Sequence, residues 1–512
     1  MEGFRNPLQI RMLAKDKVCA VVAAADAASM LRQLEEALRL TRTIELRLDW
    51  LADDDEIARF LRRLSALAPQ ATLLATCRRR PAGGRYRGPI ANQLVHLAEA
   101  IRSGCEWYDL EVETSSLCPP ELLEVLLGEG KRLASAHFFK AIPQNLAAVA
   151  RQLEYGNPGG IKVAAHCESL RECEELARFG QRRPNAIVIP MGDVALAARI
   201  LGLRKRSGLA YAPVENATAP GQVPLREMMN VYRAGKIGAQ TGVYGVIGDP
   251  IGHSLSPHMH NAGFCTCSMD AVYVPILVHD LHDFIGSIEW LGIKGFSVTI
   301  PHKERILSHL SYCDPLAGRI GAVNTVIVRG KRELYGYNTD YVGVLRALER
   351  RFALRGSRVL IVGAGGVARA VAFALAEAGA VVCVSGRRQK KARAIADAVG
   401  GTLVERNRLR HESFDAIVNA TPVGMHPLTG DSPLEARDLN CDIVFDTIYR
   451  PRQTKLLQLA ARRGIETISG VEMFVAQGAA QWELWTGEPA PVAAMRRAVS
   501  RVLEREEKTQ KN

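Results

Sequence analysis

Short apolar runs alternate with helical stretches through the first 230 residues, and this alternation restricts the fold more than any other feature. About eight such runs lie between Val18 and Asn230. Strand, helix and strand in succession imply parallel pairing, because a parallel neighbour needs a long crossover. Eight strands with intervening helices are what a (β/α)8 barrel requires, so we predict that α/β fold here. The runs are VCAVVAA, IELRLDW, ATLLATC, WYDLEVE, RLASAHF, GIKVAAH, NAIVIPM and GLAYAPV.

One of these strands carries charge along a whole face. In TIELRLDWL, from Thr43 to Leu51, apolar residues alternate with Glu45, Arg47 and Asp49. Strict alternation places the three charges on one face of a strand. A half-exposed antiparallel strand would explain the stretch equally well if it stood alone. Within a barrel, the charged face would instead look into the lumen and the C-terminal mouth, where such enzymes do their chemistry.

The strand–helix pattern restarts near residue 240 and later contains a glycine fingerprint. RVLIVGAGGVARA indicates a strand, a turn and the start of a helix. Backbone N–H groups at such a turn, together with the helix N-terminus, bind the pyrophosphate of a dinucleotide. We therefore predict a Rossmann-type domain whose cofactor turn contains Gly363, Ala364, Gly365, Gly366 and Val367.

A basic cluster follows the next strand, VVCVS. A cofactor with a free ribose 2′-hydroxyl would meet Asp or Glu at this place, whereas the sequence supplies Arg387, Arg388 and Lys391. Cations there fit a 2′-phosphate, so we predict that the cofactor is NADP. A solvated basic turn is the alternative interpretation.

Composition and charge narrow the class of protein. The 512 residues exceed what one core usually holds, so two or three domains are expected. A net charge of +12, with short basic runs and 6% aromatics, favours small anionic ligands over nucleic acid. No apolar run suits a bilayer span, and the start of the sequence lacks the apolar region of a secretory signal. Eleven dispersed cysteines without a CxxC pair indicate reduced thiols, so we expect a cytoplasmic protein; we predict no metal site.

Two residues of the predicted barrel have the chemistry of a Schiff-base site. Lys162 lies inside the apolar run GIKVAAH, and His137 ends the run RLASAHF. A lysine kept neutral by apolar surroundings can attack a carbonyl, and a nearby histidine can move the proton. The plainer alternatives are a lysine that reaches solvent from a strand end and a hydrogen-bonded structural histidine.

Four further polar residues suit an anionic ligand. Arg78 and Arg199 are ordinary as surface arginines, but at barrel strand ends they could clamp a carboxylate. Thr218 and Gln222 lie in ATAPGQ, a Pro-Gly turn whose small polar donors suit closure over a ligand.

Five motifs in this order resemble type I 3-dehydroquinate dehydratase over most of residues 15–230. They are ELRLD, TCR followed by GG, SAHFF, IKVA and ATAPGQ. The resemblance implies that Lys162 forms an imine with dehydroquinate and that His137 carries the proton to the departing hydroxyl. The substrate's hydroxyls and carboxylate would then be held by Glu45, Arg47, Arg78, Arg199, Thr218 and Gln222. The family often has a glutamate before the paired glycines, where this chain has Ala82, so this chain lacks that carboxylate.

The second half resembles shikimate dehydrogenase over about residues 240–505. The motifs are GHSLSPHMHN, FSVTIPHK, GAVNT, GYNTDYVG, NATPVGM, DTIYRPRQT and GVEMFVAQGAAQWELWTG. The resemblance implies that Lys303 and Asp340 protonate the carbonyl oxygen of dehydroshikimate as hydride arrives, and it leaves open which of them carries the proton. It assigns the substrate's other contacts to Ser254, Ser256, Thr299, Asn324, Asp340, Tyr449 and Gln477. It adds Met425, Thr447 and Gly470 to the cofactor residues.

Two departures from the dehydrogenase pattern reduce polar contacts without removing the proposed chemistry. Ser297 stands where asparagine is more usual, and so does Gly386.

The two resemblances together predict one chain with two consecutive activities, in the order of plant bifunctional enzymes. The predicted domains are a barrel at 15–232, a shikimate-binding lobe at 240–340 completed by 475–505, and an NADP-binding lobe at 341–474. A catabolic quinate/shikimate dehydrogenase stays open as an alternative, because the sequence fixes no direction. A ligand-sensing regulator is disfavoured, because such a protein would lose catalytic residues that are present here. The sequence leaves the oligomeric state, domain orientation and channelling undetermined.

Overall fold

The computed structural model describes residue 13 and residues 16–67, 69–204, 209–215, 221–330 and 332–509. The chain divides into two compact units. The first contains residues 1–243 and 270–292, and the second contains residues 244–269 and 293–512. Within the described residues, no helix combines the length and apolarity that crossing a membrane requires.

The first unit is built around an eight-stranded parallel sheet in the order β7-β6-β5-β4-β3-β2-β1-β8. Each of β1 to β6 pairs with the next strand in sequence, and β8 pairs with β1. Among the described residues β7 and β8 end the sheet order, so the barrel is nearly closed. The predicted barrel is thereby confirmed. The strands are β1 (Val18–Val22), β2 (Thr43–Arg47), β3 (Thr72–Thr76), β4 (Trp107–Glu111), β5 (Lys131–Phe138), β6 (Gly160–His166), β7 (Ala186–Met191) and β8 (Ala210–Pro213).

Helices follow the barrel strands, and side-chain caps fix where several of them begin. Asp26 accepts from the Ser29 amide at the start of α1, and Ser169 accepts from the Glu172 amide at the start of α7. Such caps satisfy amides that have no partner within the helix. The helices are α1 (Ala27–Leu38), α2 (Asp54–Leu67), α3 (Ile90–Arg102), α4 (Val112–Ser115), α5 (Pro120–Leu127), α6 (Leu146–Leu153), α7 (Leu170–Gln181), α8 (Leu196–Gly202) and α9 (Leu225–Asn230).

The charged face of TIELRLDWL is enclosed. Glu45, Arg47 and Asp49 are only 3–4% exposed, which excludes the half-exposed antiparallel alternative. The strand is shorter than its alternation suggested, because it ends at Arg47 and a 3₁₀ turn carries Asp49. Buried charges at this density require partners, and the barrel lumen supplies them.

The first unit also contains β10 (Ala271–Leu277) and α11 (Leu281–Leu291). The division into two units places these elements with the barrel, although the predicted domain limits assign them to the lobe at 240–340. Those limits stay a prediction.

The second unit has a mixed-sheet lobe followed by a parallel-sheet lobe. In the first lobe β11 pairs antiparallel with β13, and β13 pairs antiparallel with β14, which pairs parallel with β12. Its elements are β9 (Gly242–Gly248), α10 (Ser256–Thr266), β11 (Ile293–Val298), α12 (His302–Arg305), β12 (Tyr312–Cys313), α13 (Pro315–Ile320), β13 (Thr325–Arg329), β14 (Glu333–Tyr337) and α14 (Asp340–Leu348).

The parallel sheet has the order β17-β16-β15-β18-β19-β20, which is the doubly wound Rossmann order. The predicted Rossmann-type lobe is confirmed. Its elements are β15 (Arg358–Val362), α15 (Gly366–Glu377), β16 (Val381–Ser385), α16 (Gln389–Ala398), β17 (Thr402–Leu403), β18 (Phe414–Asn419), β19 (Cys441–Asp446), α17 (Lys455–Arg462) and β20 (Glu466–Ile468). Two helices, α18 (Gly470–Thr486) and α19 (Val492–Thr509), end the described chain.

Candidate active sites and nucleotide site

The barrel holds a buried lysine. Lys162 on β6 is 2% exposed, and its ammonium forms an ion pair with the Asp109 carboxylate of β4. Its Nζ lies 3.7 Å from Glu45 Oε1 and 5.0 Å from the ring centre of Tyr211. The surroundings of this amine are therefore not apolar, as the sequence suggested, but contain two carboxylates. To attack a carbonyl, the lysine nitrogen must be unprotonated and free of its carboxylate contact.

Asp109 connects Lys162 to other polar groups. Arg78 Nη2 lies 3.2 Å from both of its carboxylate oxygens, and the Ser135 hydroxyl donates to Oδ1 at 2.6 Å. Burial alone would raise the pKa of Asp109, but Lys162 and Arg78 outweigh it and hold this pKa far below its usual range. The carboxylate is therefore ionised at physiological pH.

A second pair of groups orders the neighbouring wall. Arg47 donates through Nε and Nη2 to the two oxygens of Asp49 at 2.9 and 2.8 Å, a bidentate arrangement. Thr76 donates to Glu45 Oε1 at 2.8 Å. These bonds fix the direction of the charged side chains that the alternating strand brings into the lumen.

His137 is the proton-transfer candidate. In the β5–β6 register Ser135 faces Lys162 and His137 faces Ala164, so His137 lies two residues beyond the lysine on the same face. Burial, together with the cations Arg78 and Lys162, lowers the pKa of His137 well below 6.5, although Asp109 opposes this. Its buried Nδ1 has no hydrogen-bond partner among the described residues. The imidazole is therefore neutral and can accept a proton.

One cavity gathers most of the residues predicted for the barrel site. Arg199 also donates from Nε to the Pro190 carbonyl at 2.5 Å. Thr218 lies outside the described residues. The predicted residues that line the cavity are Glu45, Arg47, Arg78, His137, Lys162, Arg199 and Gln222.

Sequence reasoning missed Asp109, Ser135 and Tyr211. A signal for Asp109 was present, since WYDLEVE places Asp109 and Glu111 on one face of a buried strand, as TIELRLDWL does. At the departure from the family pattern, Ala82 is 2% exposed, so a buried methyl group occupies the place of the glutamate.

The second unit contains a lysine–carboxylate pair in a cavity of its own. Lys303 Nζ donates to Asp340 Oδ2 at 2.5 Å, and Asn324 Nδ2 donates to Asp340 Oδ1 at 2.8 Å. Asp340 opens α14, and Lys303 lies in the short helix α12 after β11. Both oxygens of the carboxylate are thus engaged, which fixes the orientation of the pair.

The same cavity is lined by every other substrate residue predicted for this unit. Ser254 Oγ accepts from the Ser256 amide at 3.3 Å, and Gln477 donates to the Phe474 carbonyl at 2.9 Å. The predicted lining residues, including the proton-transfer pair, are Ser254, Ser256, Thr299, Lys303, Asn324, Asp340, Tyr449 and Gln477.

Gln481 was missed by sequence reasoning, although it lies one helical turn beyond Gln477. It accepts from Ser297 at 2.9 Å and donates to Thr325 Oγ1 at 3.2 Å. The serine that replaces the usual asparagine therefore retains a polar role.

The glycine turn fits a dinucleotide. Gly363 has φ +139°, and an added Cβ would lie 2.7 Å from the Ala420 carbonyl oxygen, so this position requires glycine. Gly365 and Gly366 have nothing within 4 Å of an added Cβ, which leaves open space at the start of α15. A pyrophosphate can approach the backbone there, and Ala364 lies within the same turn.

Other predicted cofactor residues divide between the cavity and the surface. Val367, Thr447 and Gly470 line the cavity that contains Lys303. An added Cβ at Gly470 would lie 2.4 Å from the Ile448 backbone, so this position also requires glycine. The exposed members are Met425, Arg387, Arg388 and Lys391.

Family models cover both halves of the chain. Type I 3-dehydroquinase matches residues 18–238, and the shikimate dehydrogenase substrate binding domain matches 246–326. Shikimate/quinate 5-dehydrogenase matches 346–447, and the shikimate 5′-dehydrogenase C-terminal domain matches 470–499.

Curated relatives agree with these models. A shikimate dehydrogenase (NADP(+)) of Methanothermobacter thermautotrophicus is 41% identical over 53% of this chain and all of its own length. One from Bacillus cereus is 42% identical over 51% of this chain and 98% of its own. A bifunctional 3-dehydroquinate dehydratase/shikimate dehydrogenase, chloroplastic, of Arabidopsis thaliana is 32% identical over 93% of this chain and 82% of its own. Both predicted resemblances are confirmed, and the chain belongs to the family of bifunctional 3-dehydroquinate dehydratase/shikimate dehydrogenases.

Proposed function

We propose that the barrel dehydrates 3-dehydroquinate to 3-dehydroshikimate through an imine on Lys162, and that the second unit reduces 3-dehydroshikimate to shikimate with NADPH. The observation that carries the first assignment is one cavity lined by a lysine, a neutral histidine and four arginines. The cations suit a carboxylate substrate, and the lysine suits its carbonyl.

The proposed dehydration uses Lys162 as the nucleophile and His137 as the base. Lys162 Nζ adds to the substrate carbonyl, and water leaves as the imine forms. His137 removes a proton from the adjacent carbon, and the imine nitrogen takes up the electron pair. Return of that proton to the departing hydroxyl releases water, after which hydrolysis frees the lysine. Asp109, held ionised by its cationic neighbours, stabilises the positive charge of the protonated imine.

Reductive trapping tests this assignment. Borohydride added with 3-dehydroquinate should attach the substrate mass to Lys162 and abolish dehydration, while shikimate oxidation survives. His137→Ala serves as a comparison that keeps the lysine. Attachment at another residue would refute the role of Lys162.

The reduction depends on the pair Lys303 and Asp340. NADPH supplies the hydride when it is bound. Lys303 and Asp340 hold the substrate's carbonyl oxygen and deliver a proton to it, and Asn324 keeps the carboxylate oriented. Ser254, Ser256, Thr299, Tyr449 and Gln477 line the same cavity and bind the hydroxyls and carboxylate.

The cofactor is NADP(H) rather than NAD(H). Arg387, Arg388 and Lys391 are exposed directly after β16, where a ribose 2′-phosphate would lie. The open backbone at Gly365 and Gly366 supports pyrophosphate binding next to them. Comparison of kcat/KM for shikimate oxidation with NADP and with NAD tests this preference.

The domain limits belong to the same proposal: 15–232 for the dehydratase, 240–340 with 475–505 for substrate binding in the dehydrogenase, and 341–474 for the nucleotide. Mild proteolysis of the full chain should cut first near residue 235. First cuts inside the barrel would contradict these limits.

The proposal also places the protein in a reducing compartment such as the cytoplasm. All eleven cysteines are free thiols, and six are buried within the barrel, which an oxidising compartment would not favour. The relative from Arabidopsis thaliana carries the word chloroplastic in its name. Imaging of the full chain with a C-terminal fluorescent fusion tests the location.

A further inference from the structure

Helix α7, which follows the strand that bears Lys162, has its N-terminus capped by a distant residue. Ser169 accepts from the Glu172 amide at 3.2 Å, as a local cap does. The Leu170 and Arg171 amides instead donate to the two carboxylate oxygens of Asp283, at 2.8 and 3.1 Å. An isolated helix leaves these amides without hydrogen-bond partners. A carboxylate at this position also interacts favourably with the partial positive charge of the helix N-terminus.

Asp283 lies in α11, and the other end of α11 is fixed to the barrel as well. Arg204, just beyond α8, donates to the Leu291 carbonyl at 3.0 Å. Trp290 packs against the buried cluster that includes Cys173 and Ala198. Helix α11 is therefore held to the first unit at its start, near its end and along its buried side.

This helix belongs by sequence to the dehydrogenase. The match to type I 3-dehydroquinase ends at residue 238, whereas the match to the shikimate dehydrogenase substrate binding domain spans 246–326 and contains α11. Yet the dehydrogenase cavity has no lining residue from 270–292, while the dehydratase cavity has Trp290 and Leu291. Helix α11 therefore packs against the barrel and lines the dehydratase cavity.

Packing contacts connect the capped first turn of α7 to Arg199, a residue predicted to bind the substrate. The first turn of α7 leads to Cys173, and Cys173 lines the cavity together with Arg199 and Trp290. Ala198, next to Arg199 on α8, belongs to the same buried cluster as Cys173. A shift of the first turn of α7 would therefore be transmitted to the wall that holds Arg199.

We propose that Asp283 is a positioning residue for the dehydratase: it orders the first turn of α7 and, through Cys173, the cavity wall that carries Arg199. The dehydratase site thus depends on a carboxylate supplied by the dehydrogenase part of the sequence. This inference rests on the proposed role of Arg199 in substrate binding.

The test compares Asp283→Ala with Asp26→Ala in the full chain. Asp26 caps α1 of the same barrel, so it controls for the loss of a helix cap elsewhere. For Asp283→Ala we expect faster hydrogen–deuterium exchange at residues 170–173. We also expect a KM for 3-dehydroquinate raised by about two- to tenfold, because the free energy lost with a helix cap corresponds to a change of this size. The kcat should change less than the KM, because Lys162 and His137 lie on other elements. Shikimate oxidation should be unchanged, and Asp26→Ala should leave KM as it is.

Asp283→Asn provides a second variant if the alanine form does not fold. Its side-chain oxygen can still accept one of the two bonds, so exchange and KM should lie between wild type and alanine. An unchanged KM, or equal KM shifts for Asp26→Ala and Asp283→Ala, would overturn the inference. Wild-type protein without dehydratase activity would refute the proposed function instead, and α7 exchange alone would then decide whether the cap operates.

Discussion

The Lys162 ammonium and the Asp109 carboxylate form an ion pair within the barrel, with side chains only 3% and 0% exposed. Three parallel strands create this contact, because β5 lies between β4 and β6 and contributes Ser135 to the same carboxylate. Buried charges are tolerated when they are paired and hydrogen-bonded. Lys162, the residue proposed to form the imine, is thus one half of a compensated ion pair.

Asp109→Asn should damage the barrel more than any other isosteric change there. The substitution leaves Lys162 and Arg78 buried without their shared carboxylate, and breaking such a pair costs about 3–5 kcal/mol. Glu45, 3.7 Å from Lys162, offsets part of this cost. The barrel should therefore unfold at lower urea concentrations than in wild type, as followed by circular dichroism.

Glu111→Gln is the matched control for that variant. Glu111 lies on the same strand and is 1% exposed, but its partners are Gln93, Thr114 and the Arg79 amide rather than a cationic side chain. Burial raises the pKa of Glu111, so a neutral amide suits the site better there. Equal urea sensitivity of the two variants would contradict the importance of the Asp109 pair.

The dehydratase should remain active below the pH at which an ordinary histidine becomes protonated. Burial and the nearby cations lower the pKa of His137 well below 6.5, so the base form persists as the solution is acidified. The acid limb of kcat/KM should therefore lie below pH 6.5. If kcat/KM for dehydration instead fell with a midpoint at pH 6.5, and kcat/KM for shikimate oxidation did not, the depressed pKa of His137 would be contradicted.

The same depressed pKa makes a prediction for stability. Below pH 6.5 the unfolded chain binds a proton at His137 that the folded chain does not bind. His137 should therefore lower the free energy of unfolding as pH falls from 6.5 toward the native pKa. His137→Gln should flatten that part of the stability curve, measured by urea denaturation at several pH values.

Lys303 and Asp340 should act as one unit. General acid–base catalysis contributes typically about 10²–10⁴-fold, and residues that act together are strongly non-additive. Lys303→Ala should reduce kcat for shikimate oxidation by about that factor, with less change in KM, and leave dehydration untouched. The double variant should lose little more than either single variant. A loss equal to the product of the single losses would show two independent residues.

Arg387→Ala should weaken the preference for NADPH. Hydrogen bonds to charged groups contribute about 1.5–3 kcal/mol, which is about ten- to a hundredfold in affinity. The ratio of kcat/KM for NADPH over NADH should fall accordingly. Arg393→Ala is the control, because Arg393 is exposed on α16 but lies outside the predicted cluster. An unchanged ratio in Arg387→Ala would mean that the basic cluster is a solvated surface that does not bind the 2′-phosphate.

The sequence was sufficient to predict those features of the fold and the site that a local pattern of residues marks. Parallel strands covered on both faces read as continuous apolar runs, so all eight barrel strands could be recognised, and the glycine turn could be recognised between its strand and helix. Lys162 and His137 stood out because polar residues interrupt such runs.

Contacts between distant segments could not be predicted. Asp109 and Lys162 are separated by the whole of β5, so only the strand order reveals their pairing and corrects the expectation of apolar surroundings for the lysine. Asp283 meets Leu170 from 113 positions away, and no local signal marks it as a cap for another helix. Thr218 stays a prediction because it lies outside the described residues.

A single coupled assay tests most directly whether this chain carries both activities. The full chain is supplied with 3-dehydroquinate and NADPH, while enone absorbance and NADPH consumption are followed together. Wild type should consume NADPH after formation of the enone. Lys162→Ala should consume none from 3-dehydroquinate but retain activity with 3-dehydroshikimate, and Lys303→Ala should accumulate the enone. NADPH consumption from 3-dehydroquinate by Lys162→Ala at the wild-type rate would contradict the assignment of the two reactions to the two sites.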